Sequence, residues 1–321
     1  MIELGYALSS EEHPADELVR QARLAEEAGF RHALISDHYH PWIDRQGESP
    51  FVWSVIGAIS QVTEHLEIGT GVTCPTTRIH PAIVAQAAAT AASLLPGRFM
   101  LGVGTGENLN EHILGDRWPS ADERLEQLEE AVDVIRELWQ GELVSYRGRH
   151  FTVDRARIYS LPDELPPIAV AAGAHGAAEV AGRIGDALIS TTPEREVVQT
   201  FADSGGAGKP RYGQLTVCWA ASTDEAIQIA HRHWPNAALR GDLSQELALP
   251  RHFRQAAELV TPSLIADAIT CGPDPERFRD ALATFEQAGF TRVYLHQVGD
   301  DPDGFMRFFE RELLPELAAI T

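Results

Sequence analysis

Two imidazoles, a carboxylate and an indole fall within six residues, Asp37-His38-Tyr39-His40-Pro41-Trp42. Imidazole titrates near neutral pH, so a histidine beside an acid is a natural general base. The same run also reads as a capped loop with Trp42 packed inward, and the spacing of His38 and His40 as half of a hydrolase metal site. A second constellation, Gly102-Val103-Gly104-Thr105-Gly106-Glu107-Asn108-Leu109-Asn110-Glu111, puts a carboxylate directly behind a glycine-rich loop. Such a loop lets backbone approach a ligand closely, and Glu107 could serve as a general acid or simply as the first acid of a helix. Its spacing is not the dinucleotide fingerprint. Gly69-Thr70-Gly71-Val72-Thr73-Cys74 offers two more glycines at which a strand could bulge toward a flat ligand. Ala171-Ala172-Gly173-Ala174 precedes a helical pattern whose first N–H groups could hold an anion, or whose small residues merely allow close packing.

Each of these runs follows a segment with the pattern of a strand. Strands are expected over 2–7, 32–36, 66–72, 99–103, 168–171, 187–190, 214–220 and 291–296. Helices are expected over 15–28, 51–63, 81–95, 121–139, 174–184, 194–203, 223–234, 274–288 and 302–317. Gly29 stops the first helix, and Ser120 or Asp122 caps the fourth. Residues 140–166 break the rhythm as an insertion, as do 237–262 within a mostly helical stretch that runs to Thr270. Eight strands, each followed by helix and with no linker between them, predict one α/β domain over 1–321, a (β/α)8 TIM barrel. The alternative is a doubly wound open sheet. In a barrel the residues behind the strands gather at one rim, which is where chemistry is placed.

The chain has 321 residues with 26 basic and 47 acidic side chains, a net charge of −21 that argues against nucleic acid and anionic membrane surfaces as partners. Lys209 is the only lysine, which excludes Schiff-base or P-loop chemistry elsewhere, and the Gly-rich run 205–210 around it reads as a flexible turn. Cys74, Cys218 and Cys271 have neither metal nor disulfide spacing and suit a reducing compartment. The N-terminus enters a strand pattern at once and the apolar run 81–95 is too short for a membrane span, so a cytoplasmic location is expected.

Taken together, Ser36 to Trp42 and Gly102 to Glu111 resemble the luciferase-like superfamily of flavin and deazaflavin oxidoreductases. Within it they are most similar to the branch containing coenzyme F420-dependent glucose-6-phosphate dehydrogenase. Gly272-Pro273-Asp274-Pro275 and Ala288-Gly289-Phe290 add to the likeness. The resemblance implies a homodimeric barrel with F420 across its mouth, and it places the catalytic roles on His38, Trp42 and Glu107. It assigns cofactor contacts to Asp37, Gly71, Val72, Cys74, Gly104, Thr105, Gly106 and Asn110, with the phosphate on Ala171, Ala172, Gly173 and Ala174. A bulge built around a cis peptide is implied at Gly71-Val72, and Glu11, Thr191 and Gln255 fall on the substrate side. The family's phosphate-binding lysines and arginine fall near Pro193-Glu194, Gln255 and Ala268, so a small neutral alcohol or carbonyl is expected in place of glucose 6-phosphate. Other readings are an FMN-dependent monooxygenase or reductase on the same barrel, a metal-dependent hydrolase using His38 and His40, and a non-catalytic deazaflavin carrier.

Overall fold

Strands buried on both faces must be apolar along their whole length, and short continuous runs such as Ile168–Ala171 and Ala187–Ser190 meet that demand. In the computed structural model, which describes residues 2–239 and 241–315, eleven strands form. They are β1 Glu3–Leu8, β2 His32–Ile35, β3 Glu67–Thr70, β4 Phe99–Val103, β5 Val144–Arg147, β6 Thr152–Ala156, β7 Ile168–Ala171, β8 Ala187–Ser190, β9 Arg211–Cys218, β10 Thr270–Cys271 and β11 Arg292–Gln297. Eight of them, β1, β2, β3, β4, β7, β8, β9 and β11, pair in that order. All pairs are parallel, and β11 returns to β1 through Glu3 opposite Arg292. The ring is a closed (β/α)8 barrel. Ala7, Leu34, Met100, Ala169, Ile189, Tyr212 and Tyr294 pack around its interior, while a larger apolar layer joins the strands to the outer helices.

The helices follow from spacing and caps. Ala15–Glu27 buries Leu18, Ala22 and Ala25 on one face, and Gly29 at φ 99° lets the Phe30 N–H reach back to the Ala25 carbonyl at 2.9 Å. Ser120, not Asp122, caps Ala121–Leu138, its hydroxyl accepting from the Glu123 N–H at 3.4 Å. The helix expected over 51–63 is shorter, Val52–Ile59, and the third strand stops at Thr70 instead of continuing to residue 72.

Three expectations need correction. The mostly helical stretch stops short of Thr270: beyond Pro262–Ala268 the backbone extends at Ile269, and Thr270 and Cys271 pair with Val217 and Cys218 as β10. The run 205–210 is not a loose turn. Gly206 lies against the Phe201 ring, and Lys209 Nζ donates to the Gly182 and Gly185 carbonyls at 3.1 and 2.8 Å, closing the C-terminal end of the helix His175–Ile184. The last helix, Pro302–Phe308, passes into a π-helical turn over Phe309–Leu313, and its expected end at Leu317 lies outside the described residues. Residues 140–166 carry the antiparallel β5–β6 hairpin, held by Glu130, whose carboxylate accepts from the His150 and Phe151 N–H groups. Among the described residues no helix is long and apolar enough to cross a membrane.

Candidate active site

Because the barrel strands are parallel, the loops behind β1, β2, β3, β4 and β7 open on the same rim. Behind β2, the His38 ring is almost enclosed. Its Nδ1 lies 3.2 Å from the His40 carbonyl, which can only accept, so Nδ1 carries the proton and Nε2 is the basic nitrogen. Nε2 in turn faces Glu11 Oε1, from the loop behind β1, at 3.4 Å. The other oxygen of Glu11 accepts from the Ser36 hydroxyl at 2.5 Å and the Ser9 hydroxyl at 3.2 Å. Burial works against the Glu11 charge, but the His38 ring in its protonated form and the Ser36 hydrogen bond outweigh it and hold the carboxyl below its usual range. His296, from the end of β11, is pushed down by burial to about 4 and stands neutral beside Trp234. The Trp42 ring lies 4.9 Å from His38, and the Phe253 ring packs edge-to-face with Trp42 at 5.2 Å.

Asn110 joins this loop to the one behind β4. Its Oδ1 accepts from the Tyr39 and His40 N–H groups at 2.9 and 3.2 Å, and its Nδ2 donates to Glu107 Oε2 at 3.3 Å. One amide therefore holds both proton-transfer candidates to the same side of the molecule. Glu107 itself is half-buried and opens the short helix Asn108–Glu111. Between these loops the Gly71–Val72 peptide is cis, and Val72 lies so close to Gly104 that a methyl group there would meet its Cγ2 at 2.7 Å. Thr73 then bridges to Val103, which carries the bulged segment along β4.

The site also has a polar underside. Asp37 is buried, its Oδ1 accepting from Arg78 at 3.0 Å and its Oδ2 from Thr73 at 2.6 Å, so both oxygens are engaged by the protein. Cys74 is likewise buried, beneath Gly106, and burial pushes its thiol up. Across the rim, Ala171 to Ala174 lead into the helix His175–Ile184, which has no side-chain cap. Gly173 is exposed and a methyl group there would meet nothing within 4 Å, and residues 174–176, where the helix begins, are exposed as well.

Other sequence candidates lie apart. Thr191 is exposed behind β8. Gln255 is exposed on Pro250–Ala257, about 200° around the helix from the inward-facing Phe253. His40 turns from His38, its Nδ1 on the Leu109 carbonyl at 2.9 Å and its ring stacked on His112, and among the described residues no group of His, Cys, Asp or Glu is placed to hold a metal. Sequence reasoning missed Arg78, Glu111 and Phe253. An arginine in a strand-end loop of a nearly lysine-free chain was the available signal for Arg78. Nothing in the pattern of the insertion marked Phe253.

The residues present fit a flat, anionic cofactor: Val72 set against Gly104, a glycine-rich loop beside it, and an exposed helix start without a side-chain cap behind Ala171 to Ala174. A family model described as luciferase-like monooxygenase matches residues 1–292. The F420-dependent glucose-6-phosphate dehydrogenase of Microbacterium testaceum (strain StLB037) is 35% identical, over 98% of this chain and 97% of its own. Its namesake from Nocardia farcinica (strain IFM 10152) is 34% identical, over 100% and 99%. An F420-dependent secondary alcohol dehydrogenase, solved with an F420-acetone adduct, superposes with a TM-score of 0.90 at 27% identity over 98% of each chain. The coenzyme F420-dependent tetrahydromethanopterin reductase of Methanopyrus kandleri, at 20% identity and a TM-score of 0.78 over 98% of this chain and 99% of its own, shares the fold. The chain belongs to the luciferase-like family and is an F420-dependent oxidoreductase of its glucose-6-phosphate dehydrogenase-like branch.

Proposed function

We propose that this protein oxidises a small neutral secondary alcohol, or reduces the matching carbonyl, and does not act on glucose 6-phosphate. The observation that carries this is the pairing of an aromatic wall, Trp42 and Phe253 beside His38, with the lack of a free lysine: Lys209 is bound to two helix carbonyls. Arg254, the arginine nearest to Gln255, is paired with Glu258. The solved relative with an acetone adduct supports the same substrate class.

Bound F420 supplies a two-electron carrier that takes up or returns hydride. Gly71, Val72, Gly104, Thr105 and Gly106 would hold the ring with Asn110 bracing their loops, and the backbone of Ala171 to Ala174 would hold the phosphate. Asp37 and Cys74, both buried, support that surface from beneath. His38 Nε2 accepts the substrate hydroxyl proton while Glu11, held ionised, stabilises the resulting imidazolium. The Trp42 ring, tilted against His38 at 4.9 Å, would stabilise the same cation. Glu107 holds the second proton, on the cofactor side, with Asn110 fixing its carboxylate. Thr191, exposed behind β8, and Gln255, exposed on the helix Pro250–Ala257, would reach substrate only if those segments move toward the mouth. Two copies are proposed to associate, so light scattering should read about twice the chain mass. Three unpaired, buried cysteines suit a reducing cytoplasm.

The test is F420 reduction with 2-propanol and with glucose 6-phosphate. Turnover of 2-propanol is expected, and a preference for glucose 6-phosphate would overturn the substrate reading. His38→Asn should lower kcat by about 10²–10⁴ with F420 affinity kept within about threefold.

A further inference from the structure

We infer that Arg78 and Glu111 are positioning residues that hold His38 and Glu107 in one geometry and thereby set the affinity for F420; this rests on the cofactor site proposed above. Arg78, in the loop behind β3, is 6% exposed at its side chain. Its Nη2 donates to Asp37 Oδ1 at 3.0 Å and to the Asp37 carbonyl at 3.3 Å, immediately before His38. Its backbone N–H donates to Glu111 Oε2 at 2.7 Å, and its Nε stands 3.5 Å from Glu111 Oε1. Thr73 completes the cluster by donating to the second Asp37 oxygen.

One guanidinium thus spans three successive strand-end loops, those carrying His38, Val72 and Glu107. A buried charge left alone is costly, so none of these loops can shift without opening the pair on the others. Glu111 lies directly under the loop that ends in Glu107. Gly106, at φ 85°, leaves the room it occupies, since a methyl group there would come within 2.8 Å of Glu111 Cγ. The groups facing Glu111 are Arg78, Asp37, Glu107 and the Cys74 thiol, two carboxyl groups and one neutral thiol against one cation. Burial pushes the Glu111 carboxyl up to about 7, against the pull of Arg78, so its charge changes across neutral pH. An anionic ligand seated over this cluster disfavours the ionised form, and F420 binding is expected to weaken from pH 6 to pH 8.

The test is fluorescence titration of the apo-protein with F420 at both pH values. Arg78→Lys keeps the charge but loses the planar fork, and its Kd is expected to rise at least about fivefold. A Kd within twofold of the native value would overturn the inference. Should Arg78→Lys not fold, Thr73→Val removes only the hydroxyl on Asp37 and must raise Kd more than twofold, with an unchanged value again overturning the inference. Glu111→Gln keeps an oxygen for the Arg78 N–H but cannot ionise. The ratio of Kd at pH 8 to pH 6 should fall below the native ratio, and an equal ratio refutes the role of Glu111. Titration of the cofactor itself cancels in that comparison. Native protein that fails to bind F420 would refute the cofactor site instead.

Discussion

Around the barrel mouth, the loops behind β1 to β4 are tied to one another by side chains, whereas among the described residues no side-chain hydrogen bond ties those behind β7 and β8 to a neighbouring loop. On the first side Ser36 reaches Glu11, Asn110 reaches two backbone N–H groups and Glu107, and Arg78 reaches Asp37. On the second, Ala171 to Ala174 present small residues and Ser190 reaches only Thr192, two positions on. The contrast matches two kinds of work. Proton transfer tolerates little error in side-chain placement, so the groups that move protons need neighbours that lock them. A phosphate asks for N–H groups whose directions the helix itself already sets, and small residues leave them uncovered.

The comparison breaks most easily at Glu107. Glu107→Gln should keep the bond from Asn110 yet lower kcat about a hundredfold, read in steady-state F420 reduction. The next effect concerns Glu12, in the loop behind β1, whose carboxyl burial pushes up to about 8. Because this exceeds its unfolded value, the stability it contributes is full below about pH 4.5 and is lost as pH rises through about 8. Denaturant unfolding should therefore show a loss on the order of a few kcal/mol between pH 5 and 8 that shrinks in Glu12→Gln. Asn110→Ala leaves the Tyr39 and His40 N–H groups without their acceptor and should cost about 1–3 kcal/mol in the same assay, with a lower kcat. Smallest of all, Gly173→Asp adds a carboxylate to an uncapped helix start. It should stabilise the apo-protein by about 0.3–1 kcal/mol while weakening F420 binding, opposite signs that no change on the tied side should give.

The barrel was readable because its strands are short, buried runs that cannot be amphipathic, as at Phe99–Val103 and Ile168–Ala171. His38 and Glu107 were readable because their chemistry is rare in such a place. Arg78 and Glu111 were not. They stand 33 residues apart, and only the closure of the barrel brings them together. Phe253 arrives from an insertion among exposed Arg251, Arg254 and Gln255, where its only buried companion on the helix is the small Ala257, too little to mark a face. Composition misled at 205–210, since glycines there permit tight packing against Phe201 and Gly182 as readily as they permit motion. The two-residue β10 is too brief to leave any alternation at all.

Lys209 carries the one side-chain ammonium of the chain, and it is clasped by carbonyls at the far end of the helix whose beginning is proposed to receive phosphate. Amine-directed dyes and cross-linkers would find almost no purchase on the folded side chains. Acylation of that nitrogen would uncap the helix terminus and remove a positive charge from the negative end of its dipole, so a reagent aimed at one pole would be felt at the other.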